Sequence, residues 1–78
     1  MLTTTLISIG SRVRVQDQDG EAEFTIVSPE ESDIARGRIS HDSPLAVALI
    51  GHCTGERVHV RAPGGLRSVV ILGVWSLL

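Results

Sequence analysis

Two short stretches of this 78-residue chain carry the residue types best suited to chemistry. "GHCTGERVHV" offers a thiol and two imidazoles in His52, Cys53 and His59, and "SPEESD" offers three carboxylates in Glu30, Glu31 and Asp33. A zinc site needs paired ligands at Cys-x-x-Cys or His-x-x-x-His spacing, whereas His52 and Cys53 are adjacent and point apart, so no metal is expected. A cysteine nucleophile needs a base and an orienting group, which nothing around Cys53 specifies, and it reads as an unreactive thiol. The carboxylates lack the number and spacing of a calcium loop and read as a solvated acidic loop. "APGG" has glycines but no following helix or lysine, so it reads as a hairpin turn rather than a phosphate loop. No catalytic residue, metal or cofactor is expected, and the chain is not expected to be an enzyme.

A different kind of chemistry lies in "ISHDSPLAVALIG", Ile39 to Gly51. Ser43 has the hydroxyl of a helix N-cap, and Pro44 suits the first helical position because the N–H it lacks would have no partner there. Asp42 is surplus to that cap. The polar lead-in therefore reads as a helix start that can also present a surface.

The elements that must position these residues follow from periodicity. "SRVRV" from Ser11 to Val15 alternates with the period of a half-buried strand, valines inward and arginines outward. Asp19-Gly20 favours a tight hairpin, after which "EAEFTIV", Glu21 to Val27, returns with Ala22, Phe24 and Ile26 on one face. "SPEESDIARGR" reads as an ordered loop with room for one helical turn. "LAVALI" is apolar on every side and predicts a short, largely buried helix ended by Gly51 in a left-handed conformation. "RVHVR" alternates again, with Val58 and Val60 inward and Arg57, His59 and Arg61 outward; Pro63-Gly64 turns the chain. The last run, "LRSVVILGVWSLL", is a strand in which Gly73 predicts a bulge or close packing. The expected fold is α+β, a small twisted antiparallel sheet packed on one short helix, in one domain over residues 1–78.

Composition narrows the function. Net charge is −2, with no lysine, so there is no global pull towards phosphate and direct nucleic-acid binding is not expected. Seven acids and no base lie between Asp17 and Asp33, whereas the rest of the chain carries seven arginines against Asp42 and Glu56. Such a two-signed molecule suits a protein partner. One cysteine cannot form an internal disulfide, and no apolar run approaches the length of about 20 residues that spans a membrane; a cytoplasmic setting is expected.

The segment "ESDIARGRISHDSPLAVALIGHCTGERVHVRAPGG" resembles the C-terminal domain of the GreA/GreB transcript cleavage factors. In that family the segment runs E-A-D, a short basic spacer, I-S, two residues, S-P, then A-L-x-G, G-D and P-x-G. Here those elements stand as Glu31-Ser32-Asp33, Ile39-Ser40, Ser43-Pro44, Ala48-Leu49 with Gly51, Gly55-Glu56, and Pro63 with Gly65. "IGSRVRVQDQDGEAEFTIV" looks like the domain's first hairpin, so the resemblance runs from about Ser8 to Val74. Ser28, Ser32 and Glu56 depart from common family residues.

The resemblance implies an FKBP-like fold and a partner. In the family this domain docks on bacterial RNA polymerase at the rim of the secondary channel, against a coiled coil of the largest catalytic subunit. The implied contact positions are Asp42, Ser43 and Pro44, with Asp33, Ile39 and Ser40 shaping the same surface. The family's transcript cleavage depends on an N-terminal acidic coiled coil; only Met1 to Ile7 precede the domain in this sequence, so cleavage by it is not expected. The expected role is a polymerase-binding module that modulates elongation, meeting DNA only through polymerase. Alternatives are a regulator of another protein such as nucleoside diphosphate kinase, a peptidyl-prolyl isomerase of FKBP type, or a homodimer formed through the apolar C-terminal strand with Trp75, Leu77 and Leu78.

Overall fold

Valine and arginine alternate in β1 (Ser11–Asp17), and the computed structural model, which describes residues 5–76, shows the consequence. Val13 and Val15 are buried while Arg12 and Arg14 are exposed. β2 (Gly20–Val27) pairs antiparallel with β1, opposing Val13 to Phe24 and Arg14 to Glu23. The turn between them is centred on Gln18-Asp19, one residue earlier than expected. Within this turn it is Gly20 that takes a positive φ, and no non-glycine does among the described residues.

The connection after β2 is more structured than a loop with one helical turn. Two 3-10 turns, Pro29–Glu31 and Ile34–Arg36, lead into β3 (Arg38–Ser40). β3 pairs parallel with β2, setting Ile26 beside Ile39 and Val27 beside Ser40. The sheet is therefore mixed, which corrects the all-antiparallel expectation while leaving the α+β architecture in place. A parallel partner requires the chain to travel back before pairing, and the connection holding the two 3-10 turns makes that return.

Helix α1 (Pro44–Leu49) starts as its sequence predicts: Ser43 Oγ accepts the Ala46 N–H at 3.3 Å and Pro44 occupies the first turn. Gly51, at φ 89°, ends it in the left-handed region. Burial is one-sided, however. Ala46 and Leu49 are fully buried, whereas Val47 is 64% exposed, so the helix is amphipathic in position though not in composition.

β4 (Arg57–Ala62) and β5 (Gly65–Ser76) form the second hairpin, turned by Pro63-Gly64 as expected. Strand order is β3-β2-β1-β5-β4. β5 is thus an interior strand, paired to β4 by its first half and to β1 by its second. The sheet edges are β3 and β4, so β5 offers no open edge over its described length; Leu77 and Leu78 lie outside the described residues. The predicted irregularity at Gly73 is present: β1 registers Arg14 with Gly73 and Val15 with Ile71, so Leu72 is the extra residue of a bulge.

Ile7, Val13, Ile26, Leu49 and Ile71 form the centre of the core, with Ile39, Val58, Val60 and Val69 around them. Each fully buried aliphatic side chain contributes about 1.5–3 kcal/mol against an exposed reference, so a domain this small depends on all of them. The segment preceding β1 is tied in by backbone: the Ile7 N–H donates to His52 O and the Gly51 N–H to Ile7 O, both at 2.9 Å. No described helix is long and apolar enough to cross a membrane.

Candidate functional site

The turn from Ser40 to Pro44 is built by the meeting of β3 with α1. The His41 N–H donates to Val27 O at 2.9 Å, and the Ser43 N–H to Ser40 O at 3.0 Å, so the turn is anchored to β2 at one end and closed on itself at the other. The Ser40 hydroxyl donates to Asp42 Oδ1, which aims the exposed carboxylate without neutralising it. No arginine or histidine lies within ion-pair distance of Asp42 among the described residues. Ser43 serves the helix and Pro44 is exposed.

The six residues singled out in the sequence do not all lie on one surface. Ser40, Asp42, Ser43 and Pro44 share this turn. Asp33 stands at the other end of β3, where its backbone bridges Arg38 with two 2.9 Å hydrogen bonds and its carboxylate lies 3.7 Å from Arg36 Nε. Ile39 is only 3% exposed. Its side chain belongs to the core and can position Ser40 but cannot meet a partner, because alternation along β3 sends it inward between two outward neighbours.

An apolar groove of about 250 Å³ adjoins α1, with Val15, Phe24, Leu45, Val60 and Val69 among its lining residues and Asp17 and Arg67 on its rim. Leu45, the second residue of α1, connects the groove to the Ser40–Pro44 turn. Sequence reasoning missed this feature. Its walls come from five separate elements, which no local sequence pattern brings together.

Charge is distributed differently from the two-signed expectation. Much of the acidic stretch is matched internally: Arg14 Nε lies 2.9 Å from Glu21 Oε1, and Arg67 Nη2 lies 2.7 Å from Asp19 and 3.2 Å from Asp17. Arg12 and Arg14 approach Glu23 at 3.9 and 3.8 Å. Among the described residues this leaves Asp42, Glu30 and Glu31 without an ion pair on the acidic side, and Arg38 and the β4 arginines on the basic side.

The histidine and cysteine do not converge on a metal, and no group of three or more His, Cys, Asp or Glu able to hold one occurs among the described residues. His52 Nδ1 is 3.0 Å from Glu56 Oε1, while the Cys53 backbone N–H donates to Glu56 Oε2 at 2.7 Å. Glu56 raises the Cys53 thiol above its ordinary range, chiefly through their hydrogen bond, which keeps the sulfur protonated.

Comparison with known proteins agrees with this geometry. The family model for the C-terminal part of GreA/GreB transcription elongation factors matches residues 2–76. The transcription elongation factor GreA of Sinorhizobium medicae is 47% identical over 70 residues, covering 87% of this chain and 44% of that protein. The crystal structure of the GreA factor homolog 1 (Gfh1) protein of Thermus thermophilus superposes with a TM-score of 0.79 at 27% identity, covering 95% of this chain and 51% of that one. The GreA/GreB elongation factor of Nitrosomonas europaea gives 0.73 at 29% identity, covering 94% and 62%. The chain spans about half the length of the GreA proteins it matches. A sheet of this topology, a serine-capped helix entered through Asp42, and a family match over nearly every residue together place the chain in the GreA/GreB transcription elongation factor family, as the family's C-terminal domain.

Proposed function

We propose that this domain is an RNA polymerase-docking module that modulates transcription elongation. Its partner is bacterial RNA polymerase, at the secondary-channel rim, where it contacts the coiled coil of the largest catalytic subunit. The observation that carries this reading is the unneutralised, exposed carboxylate of Asp42, held by Ser40 on a turn whose capping is done by Ser43 alone. A carboxylate fixed in place and lacking a cation of its own is available to an arginine or lysine of a partner. The groove reached through Leu45 offers that partner an apolar anchor point beside the charge. The share of the activity proposed for these residues is attachment rather than transcript cleavage.

Isothermal titration against the isolated polymerase coiled coil tests this. The native chain binds, and Asp42→Arg weakens binding by about tenfold or more, in line with a reversed charge at an interface. A native chain that does not bind, or a folded variant that binds as well as the native chain, would sink the docking reading.

A further inference from the structure

We propose that the outer face of the β4–β5 hairpin is a second docking surface, whose occupant is an acidic amphipathic α-helix of a protein partner. β4 is an edge strand, and it sends Arg57, His59 and Arg61 outward while Val58 and Val60 enter the core. Among the described residues none of these three outward side chains has a hydrogen bond or ion pair. By contrast Arg12, Arg14, Arg36 and Arg67 each approach a carboxylate, and Arg38, also without one among the described residues, stands alone on β3. The chain is net negative, so two arginines left unmatched in one row, with an imidazole between them, form a local positive strip with no internal use.

Beside the strip lies the outward face of β5, apolar at Leu66 and Val70 and polar at Ser68 between them. The register sets Arg57 opposite Val70, His59 opposite Ser68 and Arg61 opposite Leu66, and Leu66 is 66% exposed. On the other side of β5, Gln16 of β1 is registered with Val70. An open trough of about 500 Å³ adjoins this row, with Arg57 on one wall, Gln16, Asp17 and Gln18 on the other, and Leu66, Ser68 and Val70 beneath; the Asp17 carboxylate is held by Arg67 at 3.2 Å, and His59 and Arg61 continue the strip outside the trough.

The dimensions select a helix. From β1 to β4 the trough crosses two interstrand spacings, about 9.6 Å, close to the diameter of about 10 Å of an α-helix. Along β4 every second residue advances about 6.6 Å, and on a helix every fourth residue advances about 6.0 Å. Carboxylates at positions i, i+4 and i+8 therefore stay within about 1 Å of register with Arg57, His59 and Arg61. Apolar residues on the adjoining stripe of the same helix fall on Val70 and Leu66. Guanidinium groups, unlike lysine ammonium, can clamp such carboxylates through two parallel hydrogen bonds. A single-stranded nucleic acid fits less well, because its bases need aromatic platforms and no aromatic residue lines the trough. The strip faces outward from β4, whereas α1, which follows the Asp42 turn, packs against that strand through the core.

The test uses the whole chain, isotope-labelled, titrated with a stapled helical peptide bearing glutamates at i, i+4 and i+8 and leucines on the adjoining stripe. Amide shifts are expected at residues 57–61 and 66–70, with affinity reduced about tenfold or more in the Arg57→Glu/Arg61→Glu double variant, whose core amides report that it is folded. A peptide with lysines for glutamates should not bind. The proposal is overturned by no response, by a response centred on residues 40–44, by undiminished binding to the folded double variant, or by tighter binding of a short single-stranded oligonucleotide. It is also overturned if light scattering of the chain alone shows a dimer that the double variant abolishes, since a second copy then occupies the face. The double variant should keep its affinity for the polymerase coiled coil, so this surface and the Asp42 turn fail or succeed separately.

Discussion

Glu56 Oε2 accepts the Cys53 backbone N–H at 2.7 Å, closing the loop between α1 and β4 with one carboxylate. The other oxygen faces His52 Nδ1 at 3.0 Å, and the Glu56 carbonyl accepts the Ile71 N–H of β5 at 2.9 Å. One residue thus joins the end of the helix, the start of β4 and the middle of β5. The hydrogen bond from His52, followed by that from the Cys53 N–H, lowers the Glu56 carboxyl from its ordinary 4.5 to about 2.

A lowered folded-state value makes the ionised form of Glu56 a source of stability. The contribution is complete above the unfolded value near 4.5 and is lost as pH falls towards about 2. Melting temperatures of the native chain and Glu56→Gln should therefore differ at neutral pH and converge as pH falls through that window. Half-exposed partners also predict that added salt narrows the neutral-pH difference. A difference that persists unchanged at pH 2 would remove the carboxylate from this role.

The cap of α1 makes a second prediction. Ser43→Ala deletes the acceptor of the Ala46 N–H and should cost about 1 kcal/mol in urea unfolding, whereas Ser43→Asp should restore most of it. Because α1 is only 6 residues long and holds the buried Ala46 and Leu49, the loss should appear across the whole unfolding transition rather than as local fraying. An unchanged midpoint in Ser43→Ala would show that the hydroxyl does not cap the helix.

Gly73 and Trp75 make a third. A Cβ built on Gly73 would stand 2.7 Å from Trp75 Cη2, inside van der Waals contact, so the indole lies over the glycine and fills the place of its missing side chain. Gly73→Ala should displace the ring. Trp75 is the only tryptophan and is 48% exposed, so intrinsic fluorescence should change its maximum or intensity while the unfolding midpoint moves little. Identical emission spectra would contradict the ring-on-glycine packing.

Much of this arrangement could be read before any fold was known, because it depends on neighbours in sequence. Alternation in "SRVRV" and "RVHVR" placed two strands and their faces, Pro63-Gly64 a turn, and Ser43-Pro44 a helix start; each signal lies within a few residues and reflects backbone and side-chain stereochemistry. The family motifs through the Ser43-Pro44 segment were equally visible. β3 was not, since three residues are too few to show a period of two and its partner β2 is joined to it by the long 3-10 connection. The resemblance put Ile39 on the candidate surface because a motif reports positions and not faces; the pairing of β3 with β2 turns it inward.

The chain's local chemistry decided which segments become strands and helix, where the helix begins, and which side of each strand carries charge. Tertiary structure decided the rest. The apparently uniform "LAVALI" became a one-sided helix because the sheet covers Ala46 and Leu49 and not Val47. Most of the acidic stretch found its arginines across the sheet, Arg67 reaching Asp17 and Asp19 from about 50 residues away, which left Asp42 and the β4 arginines among the unmatched charges. Periodicity reports the faces of single elements, whereas charge matching, grooves and exposure depend on which elements become neighbours, and that is settled only when the core closes.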